Sequence, residues 1–232
     1  MRLGATNIEK AAADHFARHG WVVVEPFLEP ASAKVLRDHL LSREDWNQHL
    51  NQGEKLFELS REVRAGMPAA TREALDKAVY ANATQGFQFR FEGIRVPEDP
   101  AELANNPLHD LARLMNSAPA LSLLRGITDA PDIEFADAQA TLYSPGDFLT
   151  AHDDGVEGKN RRAAYVLSLN PDWRIDWGGL LHLHREDGSA LAVPPALNRL
   201  FLFRVPQPHS VSLVSPAAAG PRLSVTGWLR AR

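Results

Sequence analysis

Apolar positions change their spacing midway along the chain. Up to about residue 130 they recur mainly every three or four residues, the period of a helix with one buried side. Residues 8–19 predict such a helix, with Ile8, Ala11, Ala12, His15 and Phe16 on one side, Asn7 as cap and Gly20 as stop. Trp21-Val22-Val23-Val24 predicts a short strand ended by Pro26, and residues 31–44 a second helix with Val35, Leu36, His39 and Leu40 together. Helical spacing returns over 71–83, then over 108–117 and 120–126, two short helices broken at Pro119 and closed by Gly126. Phe87-Gln88-Phe89-Arg90-Phe91 alternates strictly, so it predicts a strand with three aromatic rings on one face. Residues 97–107 are an acidic connection marked by proline. Residues 47–64 are polar and mixed in sign, with little period beyond Leu56, Phe57 and Leu59, and read as a surface element or a mobile loop.

Beyond residue 130 the period shortens. Strands are predicted over 133–143, 163–169, 179–184, 199–205, 210–214 and 222–229, separated by turn sequences such as Ser144-Pro145-Gly146-Asp147, Glu186-Asp187-Gly188 and Pro206-Gln207-Pro208. A helical first half followed by short, evenly spaced strands predicts an α+β fold whose strands close a sandwich or jelly roll. Without repeats, low-complexity tracts or a clear linker, residues 1–232 are expected to form one unit, 1–130 mainly helical support and 131–232 the jelly-roll core.

Composition narrows the chemistry. Hydrophobic residues make up 44% of the chain, enough for a core, and the net charge of −4 gives no reason to expect nucleic acid or an acidic membrane as partner. The absence of cysteine removes disulfides, thiolate metal sites and cysteine nucleophiles. The opening residues lack the apolar run of a signal peptide and no stretch reaches membrane-spanning length, so a cytosolic protein is the expectation.

His152 and Asp154 are spaced so that, on an extended segment, both side chains leave one face. An imidazole and a carboxylate together are two-thirds of a facial triad for Fe(II), which leaves positions free for substrate and O2. Alone, such a tripeptide is weak. His209 is the candidate for the third ligand, because it follows Pro206-Gln207-Pro208 and opens a strand. His15, His39 and His109 lie in helical segments near apolar positions, and His19 and His49 read as surface residues. His182 and His184 share a strand face and could build an alternative site, although no acid is placed to complete it.

The last strand divides by alternation. Leu223, Val225 and Leu229 take one face, suited to packing under helices, while Arg222, Ser224 and Thr226 face inwards. An inward arginine needs a carboxylate, and a diacid ligand would provide one through paired hydrogen bonds, with Ser224 adding another. On this strand alone, a surface arginine is an equal alternative.

Several motifs fall in order over residues 135–230: Tyr143-Ser144-Pro145-Gly146-Asp147, His152-Asp153-Asp154, Arg161 to Asn170, Asp172-Trp173, Trp177-Gly178-Gly179-Leu180, Asn198 to Phe203, His209-Ser210-Val211 and Arg222-Leu223-Ser224. This series resembles the Fe(II)/2-oxoglutarate-dependent oxygenases, specifically the prolyl hydroxylase branch that includes the ribosomal-protein and hypoxia-factor enzymes and bacterial relatives. The resemblance implies a double-stranded β-helix with the N-terminal helices packed on one sheet. It makes His152, Asp154 and His209 the iron ligands, gives Arg222 the distal carboxylate of 2-oxoglutarate, has Tyr143 donate to the same carboxylate, and lines the pocket with Ser224. It implies Fe(II), 2-oxoglutarate and O2, with ascorbate as an accessory, and hydroxylation of a prolyl residue in a protein or peptide with release of succinate and CO2. In one departure, Ser168 stands where these enzymes commonly have tyrosine, and Tyr165 cannot be assumed to replace it.

Other readings keep their place at this point. The iron chemistry could act on a small molecule such as a free amino acid, or the jelly roll could be a binding module with a structural metal. Trp173 and Trp177 could form a lip for a peptide or a cover, Leu167, Leu169, Phe201 and Phe203 read as apolar scaffold, and Arg161 and Arg162 as a solvated strand edge in preference to a contact for an acidic substrate.

Overall fold

The computed structural model describes residues 1–4 and 9–231, so Asn7 and Ile8, the expected start of the first helix, lie outside the described residues. From Glu9 the chain runs α1 (Glu9–His19), β1 (Trp21–Val24) and α2 (Pro30–Leu41). An antiparallel hairpin follows, β2 (Asn47–Gln52) and β3 (Lys55–Ser60), then α3 (Arg61–Ala65), α4 (Ala69–Ala83) and β4 (Phe89–Arg95). Helices α5 (Pro107–Met115) and α6 (Ala118–Thr128) precede β5 (Phe135–Ala136), β6 (Gln139–Tyr143), β7 (Phe148–His152) and β8 (Arg161–Leu169). The chain ends with β9 (Leu181–His184), β10 (Ala190–Val193), β11 (Leu197–Arg204), β12 (His209–Val211) and β13 (Arg222–Arg230).

The strands join in the order β1-β11-β8-β13-β6-β4-β7-β12-β9-β10, with β2 and β3 extending from β4 and β5 pairing with β13. Every pairing is antiparallel, and the sheet curls so that one face becomes an interior and the other carries the helices. This is the α+β, half-barrel form of a jelly roll with N-terminal helices against one sheet.

Alternation on β13 separates the two cores. Leu223, Val225 and Leu229 join Phe16, Leu36, Leu108 and Leu124 in the helix-side core. On the interior face, Tyr143, Val166, Leu181, Phe201, Phe203 and Val211 form a second cluster that includes Trp228. Leu167 and Leu169 belong to the helix-side core, so only Phe201 and Phe203 of the expected scaffold line the interior. Tyr165 likewise faces the helices, where its hydroxyl donates to the Asp137 carbonyl at 2.7 Å. It therefore cannot stand in for a tyrosine at Ser168, whose side chain lies on the opposite face of the same strand.

Residues 47–64 are neither a loop nor one surface element. They form the β2–β3 hairpin and the start of α3, and His49, expected at the surface, is 6% exposed and stacked on Phe91. Gln48, Leu50 and Asn51 are also buried, so both sides of β2 are covered and no apolar alternation marks it. The 133–143 stretch divides into β5 and β6, while β7 and β10 are strands the periodicity does not single out. No described helix is long and apolar enough to cross a membrane.

Candidate active site

His152 closes β7 and lies opposite His209 of β12, their rings 4.1 Å apart between centroids. Asp154 lies just past the strand, so the pair does not share a face through strand pleating. Its backbone instead takes a left-handed φ of 62°, a conformation aspartate tolerates better than most residues, and this turn carries the carboxylate back over the histidines. Oδ1 comes to 3.5 Å from His152 Nε2 and Oδ2 to 3.4 Å from His209 Nε2. One ligand atom from each of the three residues falls within 4.8 Å of the others.

The second ring nitrogens fix the tautomers. His152 Nδ1 lies 3.1 Å from the Thr150 carbonyl and His209 Nδ1 2.7 Å from the Gln207 carbonyl. A carbonyl only accepts, so in the neutral ring each Nδ1 carries the proton and each Nε2, the nitrogen facing Asp154, is the one left with a lone pair. Burial, reinforced by the neighbouring His152, pushes the His209 pKa down to about 4, which keeps that ring neutral near pH 7. Two imidazoles and a carboxylate, without thiolates, fit Fe(II) held on one face. His182 and His184 are 6.5 Å apart, with His184 Nε2 engaged by the Ser210 hydroxyl at 2.8 Å, and no acid joins them into a metal-ligating group among the described residues.

Arg161 is not a solvated edge residue. Its guanidinium lies 3.6 Å above the Trp228 ring, donates to the Asp154 carbonyl at 3.0 Å and stands 3.8 Å from Oδ1. It braces the turn that carries the aspartate, and burial lowers its pKa. Arg161 Nε and Trp228 Nε1 are both buried without a partner. Arg162 is at the surface, paired with Asp132. Nothing in the sequence near Arg161 signals this role, because the ring that covers it arrives from β13.

Arg222 is 2% exposed on the interior face. Nη1 donates to Ser224 Oγ at 3.0 Å, Nε has no partner, and no ion pair reaches the guanidinium among the described residues. Burial lowers its pKa and raises that of the Tyr143 phenol, whose ring centre lies 5.3 Å from the guanidinium carbon. Ser224 Oγ in turn lies 3.0 Å from Thr141 Oγ1. A buried, unpaired cation beside a neutral phenol and a hydroxyl is suited to a carboxylate, which accepts from all three.

Gly178 and Gly179 close this end. Gly179 has φ 63°, and a Cβ there would lie 3.1 Å from Arg222 Cδ and 3.3 Å from Trp173 Cζ2. Trp173 donates from its indole to the Gly178 carbonyl at 2.9 Å and meets Trp177 edge-on. Trp173 thus packs as a cover beside Arg222.

A curled antiparallel sheet thus brings two histidines and an aspartate to one site, with a buried arginine on the same interior that meets no carboxylate among the described residues. Residues 138–230 match the family described as the 2OG-Fe(II) oxygenase superfamily. The chain is 36% identical over 116 residues to prolyl 3-hydroxylase OGFOD1 of Mus musculus, an alignment covering 47% of this chain and 20% of the mouse protein. Similarity to prolyl 3-hydroxylase sudestada1 of Drosophila melanogaster is 24% over 210 residues, 79% of this chain and 38% of the fly protein. The chain thus spans well under half the length of these relatives. Among solved structures, a Pseudomonas putida prolyl-4-hydroxylase superposes with a TM-score of 0.61 at 23% identity, covering 97% of this chain and 100% of that one. A Trichoplax adhaerens prolyl hydroxylase, solved with a hypoxia-inducible-factor peptide, gives 0.60 at 14% identity, covering 97% and 89%. At these identities the two structures speak to the fold alone.

Proposed function

We propose that this chain is an Fe(II)- and 2-oxoglutarate-dependent hydroxylase acting on a prolyl residue of a protein or peptide. The observation that carries the co-substrate reading is Arg222, a buried guanidinium without a carboxylate of its own. His152, Asp154 and His209 would hold the metal. Arg222 and Tyr143 would bind the distal carboxylate of 2-oxoglutarate, and Ser224 would orient the guanidinium. When bound, iron with 2-oxoglutarate and O2 supplies the oxidising power, releasing succinate and CO2 as one oxygen enters a substrate C–H bond. Phe201, Phe203, Val166 and Leu183 make the interior apolar and exclude water from it. The prolyl substrate class is supported by the similarity to prolyl 3-hydroxylases and to a prolyl-4-hydroxylase structure, and ascorbate is proposed as an accessory.

Addition of Fe(II) and 2-oxoglutarate without oxygen should produce the metal-to-ligand charge-transfer absorption in the wild type and not in His152→Ala. Survival of the band in that variant would sink the ligand assignment. Incubation with candidate proteins and with free amino acids, followed by mass spectrometry for one added oxygen, separates a prolyl hydroxylase from a small-molecule enzyme.

A further inference from the structure

Phe87 is an apolar ring left 48% exposed beside the proposed metal ligands. Its centroid lies 5.4 Å from that of His152 and 5.6 Å from Phe89. Phe89 and Phe91 follow at 5.5 Å, and Phe91 stacks on Tyr143 at 5.1 Å. One wall of rings therefore runs from the metal side to the co-substrate side, and Phe87 is its exposed end.

The backbone around Phe87 is fixed on both flanks. Asn51, 1% exposed, donates from Nδ2 to the Phe87 carbonyl at 2.9 Å and accepts from the Phe89 N–H at 2.9 Å. On the other side, the Gln88 N–H donates to the Thr150 hydroxyl at 2.8 Å, and the Thr150 N–H donates to the Gln88 carbonyl at 2.9 Å. β7 thereby holds the ring in register with His152. An aromatic group that is rigidly mounted, exposed and next to the reacting centre loses little entropy when a ligand covers it, which is the character of a binding anchor.

We propose that Phe87 is a specificity-determining residue that packs its ring against the pyrrolidine ring of the target prolyl residue. The ring protons next to an amide nitrogen carry partial positive charge and favour the negative face of an aromatic ring. The inference rests on the prolyl reading above and assigns one residue its part in it.

Two assays test it. N-acetyl-L-prolinamide and N-acetyl-L-alaninamide are titrated into the zinc-loaded protein with 2-oxoglutarate, which binds without turnover, and contact is read by saturation-transfer NMR. Pentapeptide pools with central proline or central alanine are also incubated with the iron-loaded protein and O2, and scored by mass for one added oxygen. The wild type should prefer proline in both assays. Phe87→Ala should lose the transfer to the proline ring and oxidise the proline pool about 10-fold less, the scale of one aromatic contact. Its anaerobic charge-transfer band should remain, Phe87→Trp should keep both signals, and Val35→Ala, an exposed apolar residue on α2, should change neither. If Phe87→Ala keeps the preference for proline, the role of Phe87 falls and the prolyl reading stands. If the wild type shows no preference in either assay, the prolyl reading falls and the role of Phe87 falls with it.

Discussion

The guanidinium carbon of Arg222 lies 5.3 Å from the centre of the Tyr143 ring, and the same guanidinium donates to Ser224 without meeting a carboxylate among the described residues. A cation buried in this way destabilises the ligand-free protein and favours the anion that neutralises it.

Arg222→Met should therefore separate stability from binding. We expect the ligand-free variant to be more stable by about 1–3 kcal/mol in urea unfolding. Its 2-oxoglutarate affinity should fall by about 100-fold or more in calorimetric titration, the scale of losing a buried charge-assisted pair. A variant that is less stable and still binds tightly would count against the clamp.

Gly179→Ala should act on the same guanidinium from below. The added methyl would press on Arg222 Cδ, Val214 and Trp173 at 3.1–3.3 Å, and the positive φ adds strain. Stability should drop by about 1–3 kcal/mol and 2-oxoglutarate should bind more weakly, while metal affinity measured without co-substrate changes little. Equal losses in both affinities would indicate general misfolding. Gly178→Ala is expected to be worse, since its Cβ would fall 2.0 Å from the Leu213 carbonyl oxygen.

Glu92 gives an asymmetric case. Its side chain is 6% exposed and held by Arg61 at 3.0 Å and by Arg64, whose own side chains are 34% and 27% exposed. Removing both arginines strands a buried carboxylate, so the double variant Arg61→Met, Arg64→Met should lose about 3–5 kcal/mol. Glu92→Met leaves two arginines that can turn to water, and should lose less than half as much. Chemical denaturation of the variants compares them directly, and the reverse order would refute the argument.

His49 should make the fold acid-sensitive. Burial lowers its pKa from 6.5, against the opposing effect of Glu58. The folded state thus binds its proton less readily than the unfolded chain, so this contribution to stability is complete above pH 6.5 and is lost as pH falls below it. Unfolding measured at about pH 7.5 and about pH 5.5 should show the wild type losing more stability on acidification than His49→Gln. Equal losses would remove His49 as the cause.

Sequence patterning revealed residues whose two faces have different surroundings. On β13 the division between Leu223, Val225 and Leu229 and Arg222, Ser224 and Thr226 was legible, because one face meets helices and the other a polar pocket. His209 was legible as a strand entrance after two prolines. β2 was not, since its Gln48, His49 and Asn51 are buried through hydrogen bonds and ring stacking as well as apolar packing. Arg161 stayed hidden because its burial depends on Trp228 and on a turn at Asp154 that strand spacing does not describe. The aromatic alternation at Phe87, Phe89 and Phe91 was visible, and its direction towards His152 required the fold.

β12 is three residues long and lies between β7 and β9. A metal held by His152, Asp154 and His209 would stitch β7 to this short strand. Loading would then act as a cross-strand staple, raising stability with metal concentration and slowing amide exchange first in β12 and its partners. In that sense the same ion that equips the site for oxidation would also complete the closure of the sheet around it.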